Sequence, residues 1–457
     1  MKMKNRILSL TFVALMAFAS TSCNKFLDKD PLGQIAQDEF FNSETNANAA
    51  VIGAYRSMMN SFSWGQSTII VPEFSAVHVR HSAVFPEYEM FAAHEVQANN
   101  PWTSNLWQAL YATINAANNI IDEVPKMDAS MISDDKKKLF IAEAKFLRAF
   151  NYFFLVRAFD RIPLKLTATK EGDDLATPQV EKKETYAQIV KDLTEAIADL
   201  PKENPYSGDA ARGRASHYGA KALLAKVYLY EASFTNDYKK AADLANEVIT
   251  AGGYNLVQDF TTIFTTQNTN EAIFEIQFDD QATNTLAAVS NDNPSVLFFA
   301  KDSTVLDKYK DADKRKAFTI KKGSNDNYFI GKYPNFSPAS QNVPAIRLAE
   351  IYLIHAEAKA RVDNIVSQAA YNSLKMVQER AGVVQPITSY SNLANFITGV
   401  QEEKEREMMF EGETWFDYVR TKLAMRKYNL TNEQFLVYPI PTAQISLGGG
   451  LTQNPGY

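Results

Sequence analysis

Residues 410–420 read FEGETWFDYVR and set three carboxylates, Glu411, Glu413 and Asp417, around a tryptophan. Two acids facing each other across a cleft at about 5–9.5 Å are what glycoside hydrolysis requires, so a glycosidase using Glu411 and Asp417 is one reading. The wider stretch holds Glu405, Arg406, Glu407, Glu411, Asp417 and Arg420, mixing both signs along a helical segment broken at Gly412. Charges arranged in this way satisfy one another and leave no carboxylate free to shift its pKa. The expectation is therefore a structural ion-pair knot that includes Trp415. A G-x-S-x-G elbow, an H-E-x-x-H pair and a phosphate-cradling glycine loop do not occur. No catalytic residue is assigned.

The one cysteine, Cys23, offers a different chemistry. It follows a basic start (Lys2, Lys4, Arg6), a run over residues 7–19 that is apolar apart from Ser9 and Thr11, and the small residues Ser20, Thr21 and Ser22. The run is shorter than the roughly 20 residues that a membrane span needs, and the layout is that of a secretory signal peptide over residues 1–22. Small residues directly before a cysteine resemble a bacterial lipobox, with Ser20 where leucine is usual. Cys23 is then the site of acylation, an anchor and not a catalyst, since residues 24–30 are too polar to bury a thiol. An ordinary signal peptide with an incidental cysteine is the alternative. An exported chain with a single cysteine has no intramolecular disulfide, so stability must come from the core that the remaining 435 residues build. Loss of the three leader cations takes the formal charge from −6 to −9, and the longest cationic run is KKK at 136–138. Nucleic acid is not an expected partner. No later segment reaches transmembrane length.

These groups need elements to hold them. Within residues 134–160, Leu139, Phe140, Phe146, Leu147, Phe150, Phe153 and Phe154 recur at three- and four-residue steps, the stripe of a packed helix. Residues 102–124 repeat the pattern with Leu106, Leu110, Ile114, Ala117 and Ile121, and Pro125 closes it. Further helices are predicted at 45–60, 184–199, 214–232, 237–251, 345–361, 367–381 and 392–411. Segments 216–232 with 237–251, and 348–362 with 369–382, pair through Ala-rich contacts with interleaved Leu and Tyr, as tetratricopeptide units do. A bundle of unrelated helices is the alternative. The predicted fold class is mostly α: tetratricopeptide-like helix pairs forming a bundle or solenoid, with helices over about 45–251 and 345–411. Loop-rich insertions are expected at 61–101 and 252–344, where residues 272–278 alternate as a strand would.

Four motifs then come into order along the chain: CNKFLDKDP at 23–31; RLAEIYLIHAEA at 347–358 with ERAG at 379–382; EREMMFEGETWFDYVR at 405–420; and VYPIP at 437–441 with LTQNPGY at 451–457. Together they resemble the SusD/RagB family of outer-membrane nutrient-binding lipoproteins. The departures are Thr414 where a basic residue is usual, Gln444 in place of an acid, and Gly448–Gly450 where an Asn-Pro pair is common. The resemblance implies one SusD-like domain over 23–457, anchored in the outer membrane by lipid on Cys23 and facing the cell exterior. It implies a SusC-like TonB-dependent β-barrel transporter as partner, an oligosaccharide or in some members a peptide as ligand, no enzymatic activity and no cofactor.

Sugars present flat C–H faces ringed by hydroxyls, so exposed aromatic faces beside planar polar groups suit them. Trp107 and Trp415 are assigned to the core. Trp64 and Trp102, in and beside the first insertion, are the candidate contacts, with Arg80 and His81 of HVRHS and Tyr88 of FPEYEMF. Phe298, Phe299, Tyr328 and Phe336 are further aromatics in the second insertion. His78 and His81 could share a metal with His94 or Glu87, but structural zinc takes four ligands and favours thiolates, so no metal is assigned. Two loop tryptophans beside Arg80 and the histidines make a thin polysaccharide platform, which keeps a peptide ligand open. A tetratricopeptide protein-interaction scaffold is the reading from outside that class.

Overall fold

The computed structural model describes residues 40–170, 172–173, 176–323 and 326–457; Cys23 and the leader lie outside the described residues. Its longer helices are, in chain order, α1 (Glu44–Ser57), α2 (Ser67–Ser75), α3 (Pro86–Ala93), α4 (Pro101–Glu123), α5 (Asp134–Phe159), α6 (Lys182–Asp199), α7 (His217–Thr235), α8 (Lys239–Ala251), α9 (Leu348–Asp363), α10 (Gln368–Ala381), α11 (Leu393–Met408) and α12 (Thr414–Arg420). Many start where the sequence supplies a cap. Ser43, Ser133, Ser216, Ser367 and Asn392 each accept a bond from a backbone N–H of the first turn that would otherwise lack a partner.

From α4 to α10 each helix packs on the next, and α11 lies against α9. The stack is continuous from α8 to α9 although residues 252–347 intervene, so the second insertion leaves the solenoid and returns to it. The α7–α8 contact is built as expected, with Ala220, Ala225, Ala241 and Ala245 fully buried. The α5 phenylalanines 140, 146, 150, 153 and 154 are all buried, and each contributes roughly 1.5–3 kcal/mol of transfer free energy.

The first insertion corrects the expectation of an irregular stretch. It holds α2 and α3, and all nine residues of α2 are buried. A helix covered on every side shows no 3.6-residue period. The second insertion is tied down by antiparallel ribbons. Strand β1 (Val79–His81) pairs with β3 (Phe298–Ala300), β2 (Ala272–Ile276) with β6 (Val343–Arg347), and β4 (Ile320–Lys322) with β5 (Tyr328–Ile330). All five residues of β2 are buried, so the expected strand is present but is covered on both faces.

Candidate functional site

The chain leaves α2 through Val77, whose φ of +56° turns it into β1. Register in the β1–β3 ribbon sets Arg80 opposite Phe299 and His81 opposite Phe298, and Ser82 N donates to Leu297 O at 2.7 Å beyond it. Pro86 then opens α3. Asn100 joins α3 to α4: its side chain donates to Glu87 O at 2.8 Å and accepts from Trp102 N at 2.9 Å.

This scaffold lines up a row of rings. Trp102 stacks on Tyr88 at 4.5 Å, Tyr88 lies parallel to His81 at 5.7 Å, and His81 stacks on Phe85 at 5.2 Å. Phe298 meets Tyr88 and His81 edge-on. The outer end is open: Phe85 is 38% and Val84 88% exposed, with Leu297 beside them. Because side chains alternate along a strand, Arg80 points to the other face of β1. There its guanidinium lies 4.4 Å above the Phe299 ring and donates to Asn327 Oδ1 at 2.7 Å. Asn327 and the exposed apolar residues Val84, Phe85 and Leu297 were not singled out from sequence; Phe85 lies three residues from Tyr88 in the same FPEYEMF run, and Asn327 carries no sequence signal.

Of the five predicted contacts, His81 and Trp102 are half-buried members of the row. Tyr88 is 1% exposed, a correction: it supports the row from inside, and its hydroxyl accepts from Gln66 at 3.3 Å. Trp64 is also corrected. It is 4% exposed and stacks on Phe150 at 4.6 Å, so it belongs to the core. Trp64→Ala is accordingly expected to lower the melting temperature while the variant that remains folded retains ligand; unchanged stability with lost binding would contradict the packing. Trp107 and Trp415 are buried as expected. His78 is committed to Glu73 Oε2 at 2.8 Å and Glu405 Oε1 at 3.3 Å and is not available to share a ligand with His81.

The three carboxylates of FEGETWFDYVR are tied to buried cations. Glu411 meets Arg347 at 2.8 Å and Lys332 at 2.5 Å, Glu413 meets Arg157 at 2.8 Å and Lys226 at 2.9 Å, and Asp417 meets Lys404 at 2.9 Å and Arg420 at 2.7 Å. Burial opposes ionisation of Asp417, but Lys404 and Arg420 outweigh it and hold the carboxyl well below the usual range. An acid held ionised in this way is a poor proton donor. Gly412 is the break between α11 and α12, at φ +80°. A Cβ there would lie 2.5 Å from Thr68 O, and the Gly412 N–H donates to Glu73 Oε1 at 3.0 Å, so the knot presses directly on α2.

Comparison with known proteins bears on the whole chain. Residues 25–229 match a family model described as SusD-like, starch-binding associating with outer membrane, and residues 301–434 match the SusD family model. A SusD-like protein of Bacteroides ovatus is 25% identical over 474 residues, covering 91% of this chain and 82% of its own. A SusD superfamily protein from Parabacteroides distasonis superposes with a TM-score of 0.79 at 24% identity, over 90% of this chain and 99% of that one. A laminarin-binding SusD-like protein superposes at 0.77 and 24%, over 91% and 100%. The helical-repeat fold, the two matching models and the four motifs in their order agree, and the chain belongs to the SusD/RagB family.

Proposed function

We propose that the chain captures an oligosaccharide on the surface where Phe85, His81 and Trp102 reach solvent. From there the ligand passes to a SusC-like TonB-dependent transporter in the outer membrane. The observation that carries this reading is the row of stacked rings that reaches solvent at Phe85. Faces inside the row cover one another, so the apolar platform offered to a sugar is the outer Phe85 ring, with the half-buried edges of His81 and Trp102 beside the row. The family's glycan binding and outer-membrane association support it, as does the laminarin-binding relative of the same fold. The reading is one of binding and not turnover, because Glu411, Glu413 and Asp417 already serve as ion-pair partners. Acylation of Cys23 would hold the domain at the cell surface.

The test is affinity-gel retardation of the intact chain in detergent over laminarin, starch and a peptide-conjugated matrix. One glycan is expected to retard it, and Phe85→Ala combined with His81→Ala is expected to weaken that binding at least tenfold, about 1.4 kcal/mol. A glycan that retards the double variant as strongly as the parent would remove the site from this surface. Retardation by peptides alone would replace the ligand class.

A further inference from the structure

Arg157, in the last turn of α5, has a side chain that is 4% exposed. Its guanidinium lies over the ring of Phe153 at 4.1 Å and over that of Phe416 at 4.3 Å. Its Nε donates to Phe153 O at 3.2 Å and its Nη1 to Glu413 Oε2 at 2.8 Å. Nη2 donates to no described residue, yet it is not sealed from solvent. With rings packed against the group and two of its nitrogens bonded, Nη2 is its open edge. Tyr186 of α6 repeats the situation. It is 4% exposed, and its ring meets Phe153 and Phe234 edge-on. Its hydroxyl has no partner among the described residues and is likewise not sealed. Polar groups on residues this deeply buried are normally bonded within the protein.

Both residues line one pocket of about 730 Å³, where α5, α6, α7 and α12 meet the C-terminal tail. Small-molecule sites occupy roughly 300–1,000 Å³. The other charged groups that border it are already matched. Asp160 meets Lys182 at 3.0 Å, Lys422 meets Glu433 at 3.2 Å, and Arg420 meets Glu357 and Asp417 at 2.7 Å each. Tyr230, on the same wall, commits its hydroxyl to Asp417. Phe234 stands at the mouth, 41% exposed. Two unused donors, one of them cationic, therefore open onto a cavity with an aromatic rim. Burial raises the Tyr186 pKa, so the phenol keeps its proton and can donate. A cationic donor bonds most strongly to an ionised acceptor, and two donors match the two oxygens of a carboxylate.

We propose that this pocket binds a carboxylate carried on a six-membered ring, with Arg157 Nη2 and the Tyr186 hydroxyl donating to its oxygens and Phe234 against the ring. Phe85, His81 and Trp102 do not border it, so the site is separate from the oligosaccharide surface and does not depend on it.

The first probe is benzoate, titrated calorimetrically into the intact chain in detergent, with benzyl alcohol as the uncharged comparator. Benzoate is expected to bind, and benzyl alcohol at least tenfold more weakly. An equal response to the two, or no response to either benzoate or glucuronate, would overturn the site. Tyr186→Phe keeps the ring contacts with Phe153 and Phe234 and removes a hydroxyl that bonds nothing, so it should melt as the parent does. It should bind benzoate at least tenfold more weakly, as loss of a hydrogen bond to a charged group implies; unchanged affinity counts against the site. Ser233 is exposed on the pocket wall. Ser233→Trp should block benzoate while leaving Arg157 and Tyr186 in place, and full affinity in that variant also refutes the pocket. Glucuronate separates the sources: tighter binding than benzoate assigns the site to sugar acids, weaker binding to aromatic acids. Glycan retardation should be unchanged in Tyr186→Phe, so the two sites stand or fail independently.

Discussion

Arg347→Ala is expected to leave the chain without a stable native state. Arg347 is fully buried at the end of β6, and its guanidinium reaches Glu271 at 3.3 Å, Glu407 at 2.5 Å and Glu411 at 2.8 Å. Its Nη2 also donates to the Glu407 carbonyl at 2.6 Å. One side chain therefore joins the second insertion, the start of α9 and the C-terminal end of α11. Burial opposes ionisation of Glu407, but Arg380, Arg347, Arg315 and Lys332 outweigh it and hold that carboxyl far below its ordinary value. Removing one partner of a buried pair costs roughly 3–5 kcal/mol, against a total stability of about 5–15 kcal/mol for a native domain. Here three carboxylates lose the same partner at once. Arg347→Lys should rescue little, since one ammonium cannot reproduce the fork that meets Glu411 through both Nε and Nη2. The check is the urea midpoint by circular dichroism. A midpoint within error of the parent would show that the network contributes nothing, and Arg347→Met with Glu411→Leu should recover little, because Lys332 then loses Glu411 while Glu271 and Glu407 still lack Arg347.

The helices and the knot were legible in the sequence, and the surface that they position was legible only in part. The stripes of α4 and α5 and the Ala contact of α7 with α8 follow from local spacing, which a sequence displays directly. The mixed signs of residues 405–420 announced pairing, but not the partners: Arg315, Lys332 and Arg347 come from the insertion and from β6. That α8 continues onto α9 across residues 252–347 is a long-range fact with no local signal. α2 was missed because complete burial erases periodicity, and β2 looked half-exposed because Glu275 and Gln277 alternate with Phe274, Ile276 and Phe278 although the strand is covered on both faces. His81 and Trp102 were singled out because aromatic and basic residues in a loop suggest contact, and both are half-buried in the ring row. Trp64 and Tyr88 satisfied the same rule and proved to be packed inside, since residue type does not say which way a loop folds over the core.

His78→Ala is expected to cost about 3–5 kcal/mol, with a loss that depends on pH. His78 is buried between Glu73 of α2 and Glu405 of α11, its ring edge-on to Phe410. Glu405 also meets Lys308, and Lys427 at 3.7 Å. Burial disfavours the imidazolium, but the bonds and charges of Glu405 and Glu73 outweigh it and raise the His78 pKa. A histidine whose folded pKa is raised stabilises the fold fully below its unfolded value of about 6.5, and that stability is lost as pH rises through the folded value. The stability gap between parent and His78→Ala should therefore be widest near pH 6 and narrow on the alkaline side. Comparing the two proteins matters because Lys332, which burial brings down to about 8 against the pull of Glu411, pushes the other way. A lowered lysine adds stability as pH rises above its folded value, and that contribution cancels in the difference. The consequence reaches the ligand surface, since His78 immediately precedes β1 and its carbonyl accepts from Lys301 N at 2.7 Å. Amide exchange at residues 79–81 should accelerate in His78→Ala and, more weakly, in the parent at high pH. A gap that widens with pH would mean that His78 is buried neutral, with the two glutamates sharing the proton instead.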